Sequence, residues 1–329
     1  MEDKLRWGLI STANINRVLI PVIRASERSE LVAVASRDQA RAEAYADEWE
    51  IPRAVGSYED LLADPEIDVV YISLPNSLHA EWTVKAADAG KHVLCEKPLA
   101  LTVEEVDRMM EAAARNDVVV FEAFMYLHHP QTIRVLELIR GGEVGEVRFV
   151  RGSFAFSLDR PEDIRLEPEL GGGALWDVGC YPVSFIRAVA GEMPELIFGG
   201  QRLGTSGVDM TFAGQFRFAG DLLCQFDCSF EQPFHWIAEV VGTKGRIVID
   251  APWIPGRANG ASPIRLFHGD EEERVEVEEA NPYRREVEAM ADCVLEGAQP
   301  VLPLSTSREH IRMLVALYES AESGLPVTL

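Results

Sequence analysis

The residues best able to do chemistry are Lys97, in Glu96-Lys97-Pro98 directly after an apolar run, and Asp177 and Tyr181, four apart in the segment Gly171 to Pro182. A lysine at the carboxyl end of a parallel strand faces the crevice in which ligands of such sheets bind, and Pro98 fixes the backbone that follows it. A phenol can take up or supply the proton of a hydroxyl group, once its pKa falls from about 10. A neighbouring ammonium has that effect, because it favours the phenolate. Residues four apart share one face of a helix, so Asp177 and Tyr181 can serve the same site. Spacing alone leaves two plainer readings open: a solvated loop lysine and a buried tyrosine with a bonded hydroxyl.

The elements around these residues supply the frame. Apolar runs at Leu5–Ile10, Leu31–Ser36, Val69–Leu74, His92–Glu96 and Val118–Phe121 alternate with helical patterns at Ile15–Ala25, Gln39–Trp49, Leu78–Ala89 and Val103–Ala114. Such alternation predicts βαβ units and a doubly wound parallel sheet, with strands apolar throughout because helices cover both faces. Beyond the turn Gly141-Gly142 the rhythm changes. Segments of period two appear at Val147–Leu158, Leu196–Arg202, Met210–Phe218, Leu222–Phe230, Ile237–Val241 and Arg246–Ile249. With helices around Val183–Ala190, Tyr283–Glu296 and Ser307–Ser323, they predict an α+β half with one large, mostly antiparallel sheet. Pro252 to Ser262 reads as a loop. The expected division is a nucleotide-binding Rossmann domain over 1–124 and a substrate-binding and oligomerisation domain over 125–329.

In such a sheet the first strand-to-helix turn meets the nucleotide. Here it reads Ser11-Thr12-Ala13-Asn14-Ile15-Asn16, with Ser11, Ala13 and Asn16 where a dinucleotide fingerprint has glycine or another small residue. Taken alone the motif fails, yet Ser11 and Ala13 are small and the amides at the helix start stay available to phosphate. At the tip of the second strand, Ser36 and Arg37 stand where an acid would favour NAD, and Arg41 follows one helical turn later. Two guanidiniums suit the 2′-phosphate of NADP, although Asp38 can pair with either.

At 329 residues the chain is long enough for two domains, and its net charge of −23 argues against a nucleic-acid partner. No run is long and apolar enough for a membrane span, and the N-terminus lacks the pattern of an export signal, so a cytoplasmic protein is expected. Five cysteines, mostly inside apolar runs, read as buried thiols rather than metal ligands, and no metal site is expected.

Together, Glu96-Lys97-Pro98, the segment Gly171 to Tyr181 and Ser73-Leu74-Pro75-Asn76-Ser77-Leu78-His79 resemble the glucose–fructose oxidoreductase and inositol dehydrogenase (Gfo/Idh/MocA) family. The likeness spans essentially the whole chain. It is strongest to the branch of dimeric dihydrodiol dehydrogenases and NADP-dependent D-xylose dehydrogenases, which shares the turn Trp7 to Asn16, Arg37 with Arg41, and tyrosine at 181. The resemblance implies that Lys97 and Tyr181 act on the reacting hydroxyl while Asp177 fixes the substrate or the tyrosine. It also implies that Leu74, Pro75, Asn76, His79 and Glu96 line the nicotinamide and its ribose. One departure is Leu127, where arginine often stands in relatives.

These readings converge on an NADP-linked oxidoreductase for a sugar, polyol or cyclic trans-diol, assembled as a homodimer or higher oligomer through the outer face of the second sheet, where Phe212–Phe218 and Leu222–Phe230 are expected to place apolar residues. Phe154, Trp176, Phe234 and Trp236 are candidates for an apolar wall facing the substrate, with ordinary core as the alternative. Two other functions stay open: a glycosidase using transient NAD oxidation, which Arg37 and Arg41 disfavour, and a nucleotide-binding regulator without turnover, which would not need Lys97, Asp177 and Tyr181.

Overall fold

The apolar runs and amphipathic stretches of the first half form a six-stranded parallel sheet. The computed structural model describes residues 4–256 and 263–329. Along the chain come β1 (Leu5–Ile10), α1 (Asn16–Ala25), β2 (Ser29–Ala35), α2 (Gln39–Trp49), β3 (Arg53–Val55), α3 (Tyr58–Leu62), β4 (Val69–Ile72), α4 (His79–Asp88), β5 (His92–Glu96), α5 (Val103–Asn116) and β6 (Val120–Ala123). Strand order is β3-β2-β1-β4-β5-β6, the doubly wound order in which the chain reverses direction between β1 and β4. All four residues of β4 are buried, as a strand covered on both faces requires. Local signals fix the helix starts: Asp38 caps α2 by accepting from the Arg41 amide, and Thr102 and Glu105 close a capping box on α5.

The chain forms two compact units, 1–125 with 283–308, and 126–282 with 309–329. The segment that returns to the first unit is mainly α8 (Pro282–Glu296), which the sequence reading gave to the second half. Its Val287, Met290, Ala291 and Cys293 are buried in the same core as Trp7, Leu9, Tyr71 and Phe121. Arg28 fastens it further, donating to the Glu288 carbonyl at 2.8 Å and to Asp292 at 2.5 Å. Periodicity reports that a helix has an apolar face, not which core that face joins.

The second unit contains α6 (Pro130–Arg140), β7 (Val147–Ser157), α7 (Cys180–Ala190), β8 (Leu196–Leu203), β9 (Asp209–Arg217), β10 (Leu223–Ser229), β11 (Glu231–Gly242), β12 (Arg246–Ile249), β13 (Ile264–His268), β14 (Glu271–Val275), most of α9 (Leu304–Ser323) and β15 (Val327–Thr328). Its nine strands run β14-β13-β12-β11-β7-β10-β9-β8-β15, antiparallel throughout except where β10 lies parallel to β7. Strands β13, β14 and β15 had no clear sequence signal. Of the expected Pro252–Ser262 loop, 257–262 lie outside the described residues.

One expectation about this sheet needs correction. The apolar residues of 212–218 and 222–230 were expected on an outward face, ready for a partner. Instead Phe212, Phe216, Cys224, Phe226 and Cys228 are all buried, while their alternating neighbours Ala213, Gln215, Arg217 and Gln225 face solvent. Period-two alternation had sorted the two faces, and the apolar set went to the side that α9 covers: a side chain at Gly214 would meet both Phe226 and Leu317. All five cysteines are buried, and among the described residues no helix is long and apolar enough to cross a membrane.

If α8 belongs to the first core, truncating its fully buried Met290 should act as a core deletion. Met290→Ala is expected to lower stability by about 2–5 kcal/mol in urea unfolding. A loss below about 0.5 kcal/mol, the size of a surface change, would contradict that placement.

Candidate active site

The first βα turn shows how this chain replaces the missing glycines. Ser11 takes a φ of 106°, a conformation that costs a side-chain-bearing residue on the order of 1–3 kcal/mol. A knot of hydrogen bonds holds it there. The Ser11 hydroxyl lies 3.0 Å from the Ser73 carbonyl and 2.9 Å from the Ser73 hydroxyl, and it accepts from the Ala13 amide at 3.1 Å. Fully buried Asn16 donates to the Ser11 carbonyl at 2.9 Å and accepts from the Ser73 hydroxyl at 2.8 Å. The knot ties the end of β1 to the end of β4, the two strands at which the sheet reverses. No side chain caps α1, and among the described residues nothing accepts from the amides of Thr12, Asn14 or Ile15. Open N–H groups in the turn that leads into a helix suit an anion such as a phosphate group.

At the tip of β2, Arg37 and Arg41 are both exposed. Arg41 donates to the Thr12 hydroxyl at 2.8 Å, which places its guanidinium beside the open amides. Tyr58 of α3 lies near both arginines. Burial raises its phenol pKa, while the charges of Arg37 and Arg41 and a hydrogen bond with Arg37 oppose that rise. The Asp38 carboxylate caps α2, and the buried Ser36 has its hydroxyl near the Asp38 amide. No acid occupies the position that would receive a ribose 2′-hydroxyl.

Lys97 follows β5 with its peptide to Pro98 cis, and the next amide, Leu99, donates to buried Glu122 at 2.9 Å. Glu96 accepts from the Tyr71 hydroxyl. His79, expected along the nicotinamide, is fully buried, with Nδ1 2.8 Å from the Pro98 carbonyl and Nε2 2.9 Å from that of Leu74. Burial is the largest influence on its pKa and lowers it, while the two carbonyls act in the other direction. Each ring nitrogen therefore faces a backbone carbonyl, and a neutral ring, with its single N–H, donates to one of the two. His79 braces the loop of Leu74, Pro75 and Asn76 against the Lys97–Pro98 turn and offers no free ring atom to a ligand.

In the second unit, Tyr181 sits at the start of α7, entered through a wide π-type turn at Leu175–Gly179, a local geometry that recurs at functional sites. Its ring packs among Tyr126, Phe154 and Trp253, with centroids 5.9, 5.6 and 6.2 Å away. Ser184 donates to the Tyr181 carbonyl at 2.9 Å and pairs with the Tyr126 hydroxyl at 2.6 Å. Asp177 accepts from Arg165 Nε at 2.7 Å, and that arginine also binds Asp163 at 3.1 Å. The wide turn is anchored from β9. Asp209, 2% exposed, accepts from the Leu175 amide and the Tyr318 hydroxyl, each at 2.7 Å. Gly173, with φ 128°, makes room for that carboxylate, since a Cβ there would fall 2.2 Å from Asp209 Oδ1. Of the expected wall, Phe154 touches Tyr181, and Trp236 and Phe234 continue outward from it, whereas Trp176 is buried against Tyr318. Leu127 is buried at 8% exposure.

Residues 5–124 match a family model described as an oxidoreductase family with an NAD-binding Rossmann fold, and 132–248 match the Gfo/Idh/MocA C-terminal domain. A D-xylose 1-dehydrogenase (NADP(+)) from Haloferax volcanii is 40% identical over 99% of this chain and 100% of its own length. The chain belongs to the Gfo/Idh/MocA oxidoreductase family. A trans-1,2-dihydrobenzene-1,2-diol dehydrogenase from Danio rerio is 38% identical over 76% of both chains. Among solved structures, a 3-ketoreductase from Actinomadura kijaniata, in complex with NADP and TDP-benzene, superposes with a TM-score of 0.91 at 28% identity, covering 97% of this chain and 98% of its own.

In this Gfo/Idh/MocA member, Tyr58, Arg165 and Asp209 are the site-supporting residues that sequence reasoning missed. Tyr58 belongs to a five-residue helix too short for a periodic signal. Arg165 and Asp209 act across chain separations of 12 and 34 residues that no local pattern reports. Burial pushes the Asp209 carboxyl up to about 6 from an ordinary 3.8. A raised folded-state pKa means that the acid form favours folding: the benefit is full below about 3.8 and is lost as pH climbs through about 6. Relative to Asp209→Asn, which cannot titrate, the wild type should lose on the order of 3 kcal/mol across that window. Urea unfolding of both proteins at pH 4 and pH 7 reads this directly, and a flat or rising difference would contradict it.

Proposed function

We propose that this chain is an NADP-dependent dehydrogenase or reductase acting on a CH–OH group of a sugar, polyol or cyclic diol. The observation that carries the reading is the union, at the start of α1 and the tip of β2, of open amide donors with Arg37 and Arg41. The pyrophosphate would lie along Ser11 and Ala13 on the open amides of Thr12, Asn14 and Ile15, with the 2′-phosphate between Ser36, Arg37 and Arg41. Leu74, Pro75, Asn76 and Glu96 would border the nicotinamide and its ribose, held in place by His79. When bound, that cofactor supplies the hydride acceptor or donor.

The chain's own residues would manage position and the proton. Tyr181 takes the proton from the substrate hydroxyl in oxidation and returns it in reduction. Lys97 supplies the ammonium that favours the phenolate. Asp177, its carboxylate oriented by Arg165, accepts from a substrate hydroxyl, and Phe154 meets an apolar face of the ring. The names of the Haloferax and Danio relatives support a pentose or a cyclic trans-diol as the substrate type. We further infer a cytoplasmic homodimer joined through the open sheet face, where Phe198 and Leu223 stand exposed among hydrogen-bonding side chains.

The cofactor assignment predicts that Arg37→Ala weakens NADP⁺ by about 1.5–3 kcal/mol in calorimetric titration while leaving NAD⁺ nearly unchanged. Equal losses for both nucleotides would remove Arg37 from the 2′-phosphate. For the proton, Tyr181→Phe should keep the fold and NADP⁺ affinity yet slow turnover on the order of 10²–10⁴-fold, and Lys97→Met should be at least as damaging. The rate of oxidation by the wild type should rise through an ionisation below that of free tyrosine, a limb missing from the Phe variant. Wild-type turnover by Tyr181→Phe would place the proton transfer on another group, Lys97 first.

A further inference from the structure

The aromatic contacts around Tyr181 do not end at the first ring. Phe154 meets Tyr181 with centroids 5.6 Å apart, Trp236 follows at 5.7 Å and Phe234 at 4.8 Å. Tyr181 and Phe154 are 6% and 7% exposed, Trp236 is half-buried and Phe234 is 53% exposed, so the series runs from the interior to solvent. Neighbouring rings meet at 60–67° and do not stack on one another.

The strand that carries the outer two rings is shaped for this. The register of β11 against β7 shifts between Glu231 and His235, and Pro233, which has no N–H for the ladder, lies inside that irregularity. Bulges of this kind re-aim side chains beside functional sites. After the shift, Trp236 pairs with Phe154 and so shares its face, and the 4.8 Å ring contact keeps Phe234 beside Trp236. His235 between them goes to the opposite face, where its Nε2 lies 2.8 Å from the Ser153 hydroxyl.

A single sugar or diol ring whose hydroxyl reaches Tyr181 covers Phe154 and stops short of Phe234, two ring-to-ring steps further out. We propose that Phe234 and Trp236 form an outer subsite for a second ring with an apolar face, so that this enzyme prefers two-ring substrates over single-ring ones. The inference rests on the reading of Tyr181 as the proton-transfer group. Aromatic side chains hold such faces by dispersion and by burial from water, with little demand on hydroxyl pattern. A second sugar and an aryl group share this chemistry.

The test compares ligands that differ only in the outer ring, using the full chain with NADP⁺ present. Calorimetry with methyl and phenyl β-D-xyloside reads the aryl case, and turnover of xylose and of 1,4-linked xylobiose reads the sugar case. The wild type is expected to favour the two-ring member of at least one pair by about three- to tenfold. Phe234→Ala should abolish that preference, seen as a change in Kd or KM with little change in kcat, and Phe234→Tyr should restore it. Preference in the phenyl pair alone assigns an aryl group, and preference in the xylobiose pair alone assigns a second sugar. Equal affinity within both pairs, or a preference that survives Phe234→Ala, would overturn the subsite. A Phe234-dependent phenyl preference without NADP⁺ reduction by xylose or xylobiose would sustain the subsite and count against the catalytic reading instead.

Discussion

A helix that starts without a side-chain cap leaves amide donors that must be met by water or by a ligand, and α1 is such a helix. The amides of Thr12, Asn14 and Ile15, just ahead of its first residue, stay open because the residues that might have closed them are committed elsewhere. Ser11 and Asn16 face Ser73 across the point where the sheet reverses, and the Thr12 hydroxyl receives Arg41. The glycines of a standard fingerprint allow the turn by having no side chain. Here the same turn is held by side chains that bond to one another, and Ser11 keeps a positive φ that the knot stabilises. The lost glycines therefore change how the anion site is built and leave its donors in place.

A comparable economy holds the second unit's chemistry. Tyr181 stands on a helix whose entry turn is fixed by one buried carboxylate, Asp209, which reaches a backbone amide and a phenol. Buried polar groups of this kind are costly when unpaired and specific when paired, so they hold the turn in one arrangement. Arg165 does for Asp177 what Asp209 does for the turn: it spends its own charge on orienting another. Trp253 packs on Tyr126, Tyr181 and Phe185 and donates its indole N–H to the Ser153 carbonyl at 2.9 Å.

Much of this was legible in the sequence, for reasons that differ by element. Helix α2 was readable to its ends, because Asp38 is a strong cap and the apolar run before it is long. Strand β3 has three residues, Arg53-Ala54-Val55, too few to show a period, and α3 is nearly as short. Cys224 to Phe230 was readable as a strand but not as to which face would be covered, since a one-residue choice of side reverses the whole assignment. Lys97, Asp177 and Tyr181 were visible because their motifs are local. Arg165 and Asp209 were not, because their partners are brought to them only by the fold. His79 belongs between the two groups: its motif is local, but its burial between two carbonyls is a property of the packing.

On the proposed function, the open amides ahead of α1 and the two arginines beyond the end of β2 together select NADP⁺ for the oxidation of a hydroxyl carbon. A steady-state panel tests it most directly, with pentoses, hexoses, inositols and cyclic diols each followed at the nicotinamide absorbance with NADP⁺ and, separately, NAD⁺. The account predicts reduction of NADP⁺ by at least one polyhydroxylated ring, with kcat/KM about tenfold or more above that for NAD⁺, the equivalent of one charged hydrogen bond. Equal use of the two nucleotides, or no reduction of either by any member of the panel, would contradict it.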